Sequence, residues 1–338
     1  MRTLIRQFIT SAWLLVLFWT ALSASAATPP EPLSRTGTFT VEVGMYLLDI
    51  AKLDMKESEF FADFYIWYKA PLVASGQWSP ETIEFINGEV EFASPLTADD
   101  SLENQLYWSQ RIKGRFRGNF HLQRYPLDRQ VLPITLEDRD QTADRMTLAP
   151  EKTAGKAHER WVDPNLFIPD WTVEEVIASS TLHRYITTFG LTGADGKKAG
   201  LPFSRFTFRM KIHRIFMPHL VKFVIPLLII AGMAYVVFWI NAKEFESQCA
   251  ISITALLTAV ALHSSLADSL PSVGYLVLAD KVFIMFYILI FSSLVQTVVA
   301  NNFAKRGDVP VAAWLDQAFQ VLFPVALVLG SIGIIAFS

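Results

Sequence analysis

Apolar and polar residues keep one rhythm along this chain up to about Arg214 and another after it. In the first part the period is two: Phe39, Val41, Val43 and Met45 alternate with Thr38, Thr40, Glu42 and Gly44, as in a strand with one face in a core. Aromatic and β-branched runs at 60–68, 83–92, 106–117, 118–122, 131–136, 171–178, 183–189 and 203–213 continue that character, with a charged, turn-like stretch at 49–57 between the first two strands. Asn87-Gly88, Tyr125-Pro126, Asp163-Pro164 and the Gly-Ala-Asp-Gly at 193–196 punctuate the series. Many short strands with such turn signals predict a β-sandwich or barrel. Segment 190–200, rich in glycine and lysine between two strands, reads as a long hairpin tip.

Beyond Arg214 the pattern becomes four apolar segments, at about 217–240, 246–270, 280–301 and 312–337. Each is long enough to cross a bilayer as a helix, which takes roughly 20 residues. Short connectors join the first three, so these neighbours pack antiparallel. The second segment differs from the rest. It carries Gln248, Ser252, Thr254, Thr258, His263, Ser264 and Ser265. On a helix, Glu246, Ala250, Thr254, Leu257, Ala261, Ser264 and Asp268 recur at spacings of three and four and form one stripe. Carboxylates stand at both ends, small and hydroxyl residues lie between, and one leucine sits midway. A cation pore needs such a wall: acid rings concentrate cations, hydroxyls replace hydration, and an apolar ring gates by dewetting. The same residues also suit a helix inside a bundle, with its hydroxyls bonded to its own carbonyls. The rarity of intramembrane carboxylates favours a face in water.

Composition agrees with a chain in two parts. Mean hydropathy is +0.32 although 18% of the residues are charged. Net charge is −3, and no basic tract long enough for nucleic acid occurs. The single cysteine, Cys249, excludes an intrachain disulfide and a cysteine metal site. Residues 1–26 read as a signal peptide, with Arg2 and Arg6 ahead of an apolar 12–22 and Ala24-Ser25-Ala26 at the cleavage position. The domains expected are therefore an exported strand domain at 28–213 and a membrane domain at 214–338. The natural home is a cell inner membrane, with the strand domain periplasmic or extracellular. Lys243, Lys305 and Arg306 then fall inside, as positive residues should. Lys211, Arg214 and Lys222 fall outside, and need another reason to be there.

The stretch 120–132, FHLQRYPLDRQVL, supplies one. Together with Arg214, a proline in the first span (Pro226) and the polar second span, it resembles the pentameric ligand-gated ion channels, the Cys-loop receptor superfamily. Tyr125-Pro126-Leu127-Asp128 matches the centre of the hallmark loop. Phe120 and Leu132 stand where its cysteines would be, as in prokaryotic members. The resemblance implies an extracellular immunoglobulin-like β-sandwich followed by a four-helix transmembrane bundle, assembled as a homopentameric ring in the lipid bilayer. It implies gating by a small-molecule or proton agonist and passage of monovalent cations, with no enzyme activity and no cofactor. Glu246 resembles the selectivity ring and Leu257 the hydrophobic gate, with Ala250 and Thr254 lining one half and Ala261, Ser264 and Asp268 the other. Asp54, Tyr125, Pro126, Asp128, Arg214 and Pro271 would couple the strand domain to the pore. Ligand would bind between subunits beneath the hairpin, against Tyr185, Phe189 and Phe203, Trp161 and Phe167, with Tyr65 and Trp67 on the opposite face. An aromatic box suits an ammonium group, although any sandwich core is aromatic too.

Two further readings follow from the residues. Glu137, Asp138 and Asp140 crowd one segment, as a site for a modulatory divalent cation would, or as a solvated charge run would. The alternatives to a channel are a non-conducting periplasmic receptor and a membrane-tethered hydrolase. No nucleophile elbow, zinc-binding helix motif or phosphate loop supports the hydrolase.

Overall fold

The structure, a computed structural model, describes residues 39–99, 104–151, 161–187, 200, 202–241, 244–268, 270–271 and 273–336. The expected signal peptide, Phe189 and most of the 190–200 tip lie outside the described residues. Ten strands come first: β1 (Phe39–Asp54), β2 (Glu59–Pro71), β3 (Ile83–Phe85), β4 (Gly88–Ala93), β5 (Thr97–Asp99), β6 (Gln105–Arg117), β7 (Arg129–Asp138), β8 (Met146–Pro150), β9 (Trp171–Arg184) and β10 (Pro202–Arg214). They form two sheets. One has the order β4-β6-β2-β1-β8, with β5 also on β6; the other runs β3-β7-β10-β9.

Period-two patterning places the core between the sheets. On β2, Phe60, Ala62, Phe64, Ile66 and Tyr68 are all buried, and they meet Leu132, Ile134 and Leu136 of β7 and Phe206, Phe208, Met210 and Ile212 of β10. Each large apolar side chain buried in this way contributes about 1.5–3 kcal/mol. On the outer face of the first sheet, Asp63 is held by Arg111 at 2.7 Å and by Lys113 at 3.2 Å. The Arg111 hydrogen bond in particular holds the Asp63 carboxyl below the usual carboxylate range.

Three local expectations are corrected. Residues 49–54 are not a turn but the end of β1, paired to β2 through irregularities at Leu47/Asp49 and Ile50/Lys52. The run 171–178 does not end there, since β9 continues unbroken through His183 to Arg184, and residues 185–187 lie beyond it. Segment 118–122 is irregular rather than a strand. Its Leu122 leaves the sandwich and joins the apolar cluster of the helices.

Four helices long and apolar enough to cross a membrane follow: α1 (Met217–Trp239), α2 (Phe245–Ala267), α3 (Leu278–Lys305) and α4 (Val309–Ala336). The turn Leu220–Val224 of α1 is of π type. It lies just ahead of Pro226, which has no N–H to give to the carbonyl four residues back. Phe238 of α1 packs against Phe319 and Phe323 of α4, with centroids 5.6 and 5.7 Å away. Gln296 of α3 donates to Asp316 of α4 at 2.6 Å, so this carboxylate within the span has a partner. Val321, Leu322, Val325, Val328, Leu329 and Ile332 of α4 are exposed. Such an apolar face on a closed helical backbone suits lipid.

Candidate functional site

The site has two parts, a face of α2 and the junction above it. Ala255 and Ala259 are buried against neighbouring helices, as are Gln248, Ser252 and Leu266. The opposite face is uncovered. Glu246, Ala250, Thr254, Leu257, Ala261, Ser264 and Asp268 are all exposed in the single subunit, Leu257 to 64%. Glu246 stands in the first turn of α2, where unpaired amides and the helix dipole favour an anion. Thr258, beside the stripe, donates back to Thr254 O at 2.8 Å. His263 faces away from the stripe: its ring is stacked on Phe283 of α3, with its nitrogens 2.9 Å from the Tyr287 hydroxyl and 3.0 Å from Asp280.

The junction centres on Asp128, which is 1% exposed. Arg214, at the end of β10, grips its two oxygens at 2.7 and 3.1 Å, and Gln130 donates to it at 2.7 Å. The guanidinium also lies 4.2 Å from the Trp171 ring centre and 4.9 Å from that of Tyr125. A planar cation between two aromatic faces and a carboxylate fork is held more rigidly than a lysine would be. The Tyr125-Pro126 peptide is cis. The loop containing it seats on the start of α3: Leu278 N donates to Gln123 O at 2.8 Å, Ala279 N to Tyr125 O at 3.2 Å, and the Tyr275 hydroxyl accepts from Leu122 N at 3.1 Å. Two amides that α3 cannot itself satisfy are thus capped by the strand domain.

Asp54 does not join this network. Its carboxylate is taken by Lys52 at 3.0 Å and by the amides of Lys56 and Glu57. These bonds, Lys52 first, hold it below the usual carboxylate range. The β1–β2 turn reaches the end of α2 by another residue, Lys56, whose ammonium donates to Asp268 O at 2.7 Å. Sequence reasoning missed Lys56, because nothing local marks a lysine whose partner lies 212 residues away. If this contact transmits motion, Lys56→Met raises the half-maximal agonist concentration about fivefold, on the scale of one exposed charge-assisted hydrogen bond. Unitary conductance stays unchanged, and concentration–response curves with single-channel records check both. Pro271 is half-buried in the connection from α2 to α3.

The six described aromatic candidates do not form one box within the subunit. Tyr185 and Phe203 meet edge to face at 5.6 Å, and His183 packs on Tyr185 at 4.5 Å. The Tyr185 hydroxyl donates to Glu137 at 2.9 Å, and burial with that carboxylate pushes its ionisation up. Trp161 packs on core Phe208. Trp67 lies over Gly44, where a methyl group would collide with the indole, and donates to Glu151 at 3.2 Å. Tyr65 and Phe167 are exposed, at 43% and 73%. Phe189 is outside the described residues.

The three carboxylates of the divalent-cation reading have separate partners. Glu137 is buried and bonded to Arg205 and Tyr185. Asp138, next along the strand, points to the other face and accepts from Trp78, Thr82 and two backbone amides. Asp140 pairs with Arg139. Among the described residues no three His, Cys, Asp or Glu side chains come together as a metal site.

A strand sandwich is thus seated by an ion-pair junction on four helices long and apolar enough to cross a membrane, one of them with an uncovered polar stripe. The profile of the neurotransmitter-gated ion-channel transmembrane region matches residues 223–328. A proton-gated ion channel of Gloeobacter violaceus is 23% identical over 328 residues, 91% of this chain and 85% of that protein. The gamma-aminobutyric acid receptor subunit alpha-2 of Rattus norvegicus is 23% identical over 241 residues, and that of Homo sapiens 24% over 242. Each of these two alignments covers 70% of this chain and 50% of the receptor subunit. These likenesses are all to the Cys-loop, or pentameric ligand-gated, ion-channel family, through the profile over residues 223–328 and through relatives at 23–24% identity.

Proposed function

We propose that five copies of this chain assemble around the exposed stripe of α2 into a cation-selective channel of a cell inner membrane, with the strand domain outside. The observation that carries this reading is the stripe itself. All seven of its residues are uncovered on a membrane helix whose other face is packed, and a polar face with acid at both ends has no place against lipid. A ring of copies gives it water. Glu246 then makes an acidic ring at the inner mouth and Leu257 a constriction midway.

Agonist binds between subunits beneath the hairpin that follows β9, on a surface to which Tyr65 and Phe167 are accessible. The named relatives respond to protons in one case and to gamma-aminobutyric acid in the other. Protons and small amines are therefore the two agonist classes to try. Binding shifts the population of the open ring by its differential affinity for that state.

Purified protein in planar bilayers under a sodium chloride gradient tests the proposal while pH is stepped and amines are applied. Wild-type current reverses near the sodium potential. In Glu246→Gln the sodium-to-chloride permeability ratio falls at least about tenfold, since a carboxylate beside the ion path is the main local attraction it feels. Reversal toward chloride in the wild type would discard cation selectivity. A ratio unmoved by Glu246→Gln would discard the inner-mouth assignment.

A further inference from the structure

Gln248 lies on the packed side of α2 and is 2% exposed. Its carboxamide nitrogen donates to Ile240 O at 2.9 Å and to Val237 O at 3.3 Å. These carbonyls stand at the end of α1, where a helix runs out of its own donors; Val237 O also accepts from Ile240 N at 3.2 Å. Gln320 of α4 does the same for Phe238 O, at 3.0 Å. The end of α1 is thus fastened by side-chain amides from two neighbouring helices.

One turn further along α2, the Ser252 hydroxyl lies 3.3 Å from that of Ser293 on α3. The two helices run antiparallel. Moving one turn away from the strand domain leads from Ser252 back to Gln248 and from Ser293 on to Thr297, which brings those two residues to the same level. Both carry a buried polar atom with no hydrogen-bond partner among the described residues, Gln248 Oε1 and Thr297 Oγ1. Thr297 is 1% exposed. One atom accepts and the other donates. A buried group left unpaired is costly, and a water with both partners in reach satisfies the two together.

Glu246 precedes Gln248 by two residues, in the same first turn and on the opposite, exposed face. A turn pinned from behind holds its outward side chain in one place. Phe245 is held as well, beneath the Lys305 ammonium at 5.6 Å.

We propose that Gln248 and Thr297 are positioning residues of the pore: joined through a buried water, they fix the first turn of α2 and so set where the Glu246 carboxylate stands. The proposal rests on Glu246 acting at the inner mouth. Full-length Gln248→Leu, Thr297→Val, the double variant and Glu246→Gln are compared with wild type under the same sodium chloride gradient, and ring assembly is followed by size exclusion. Thr297→Val removes a hydroxyl at nearly constant volume, so it reports even where Gln248→Leu fails to assemble.

Gln248→Leu is expected to lower the sodium-to-chloride permeability ratio about fourfold, as Coulomb's law gives at an effective dielectric of about 20 for an ångström's retreat of a carboxylate from an ion at about 4 Å. Thr297→Val moves the ratio the same way by less. The double variant does no more than Gln248→Leu alone, because the two act through one link. Lowered expression with an unmoved reversal potential would mean that both residues only stabilise the bundle, and overturns the proposal. If Glu246→Gln moves the ratio while neither of the others does, the positioning role falls and the inner-mouth reading stands. If Glu246→Gln moves nothing, or no variant conducts, both fall.

Discussion

Replacing Arg214 by glutamine is expected to cost the junction about 3–5 kcal/mol, and to remove agonist-evoked current while the ring still assembles. The reason is the state in which Asp128 is left. Its side chain is wholly buried, and Arg214 is its only cationic partner among the described residues. Removing one member of such a pair strands the other charge without water, and that penalty, rather than the worth of the pair, sets the size of the effect. Two aromatic faces, Trp171 and Tyr125, lose their cation at the same time. Arg214→Lys restores the charge but not the two-pronged grip, so it recovers stability only in part. Asp128→Asn combined with Arg214→Gln leaves two neutral amides and is milder than either single change, a non-additivity expected of partners in contact. Heating detergent-solubilised rings and following their loss by size exclusion ranks the four variants. Equal melting of Arg214→Gln and wild type would sink the argument.

This pair was legible in the sequence only through its motif. The Tyr-Pro-x-Asp centre and a lone arginine before an apolar segment announce two residues that belong together; no periodicity does. Two of the three basic residues expected on the unfavourable side of the membrane have the same explanation. Arg214 is neutralised by Asp128 and Lys211 by Glu175 at 2.7 Å, so neither is a bare charge near lipid.

Elements were easier to read than partners. Four apolar segments and the three-and-four stripe need only helical geometry, and the exposed face of α2 carries the residues that spacing selects. Glu137 and Asp138 also obey a simple rule. Extending the 131–136 run by two residues, as β7 does, makes them neighbours on a strand and sends them to opposite faces. Asp54 was lost to a local competitor, since Lys52 two residues earlier shares its face of the strand. The contacts of Lys56 and Gln248 were invisible for another reason. Each is made to a backbone carbonyl in a different element, and a carbonyl has no letter in the sequence. The described aromatic residues stay divided within one chain, where Trp67 and Tyr185 already have partners of their own.

The second large effect lies at Leu257. In the proposed ring each copy presents this side chain to the axis, where it is 64% exposed on the isolated subunit. An apolar constriction resists wetting, and the closed state gains from leucines that cover one another. Truncation to alanine removes three carbons from each copy. Full burial of a leucine is worth about 1.5–3 kcal/mol, but a rim contact in a pore buries only part of it. A loss of about 0.5 kcal/mol per subunit in the closed state is a modest share of that range. Five identical losses add to about 2.5 kcal/mol, which moves the opening equilibrium about 70-fold toward the open ring. Leu257→Ala should therefore conduct with little or no agonist, and agonist should act at lower concentration, with the reversal potential unchanged because Glu246 is untouched. Leu257→Ile keeps the apolar ring and should stay close to wild type. Spontaneous openings in bilayers, counted before any agonist is added, decide the matter. An alanine variant as silent at rest as the wild type, but with normal evoked current, would place the gate at another level of the stripe, with Ala261 and Thr254 the next positions to test.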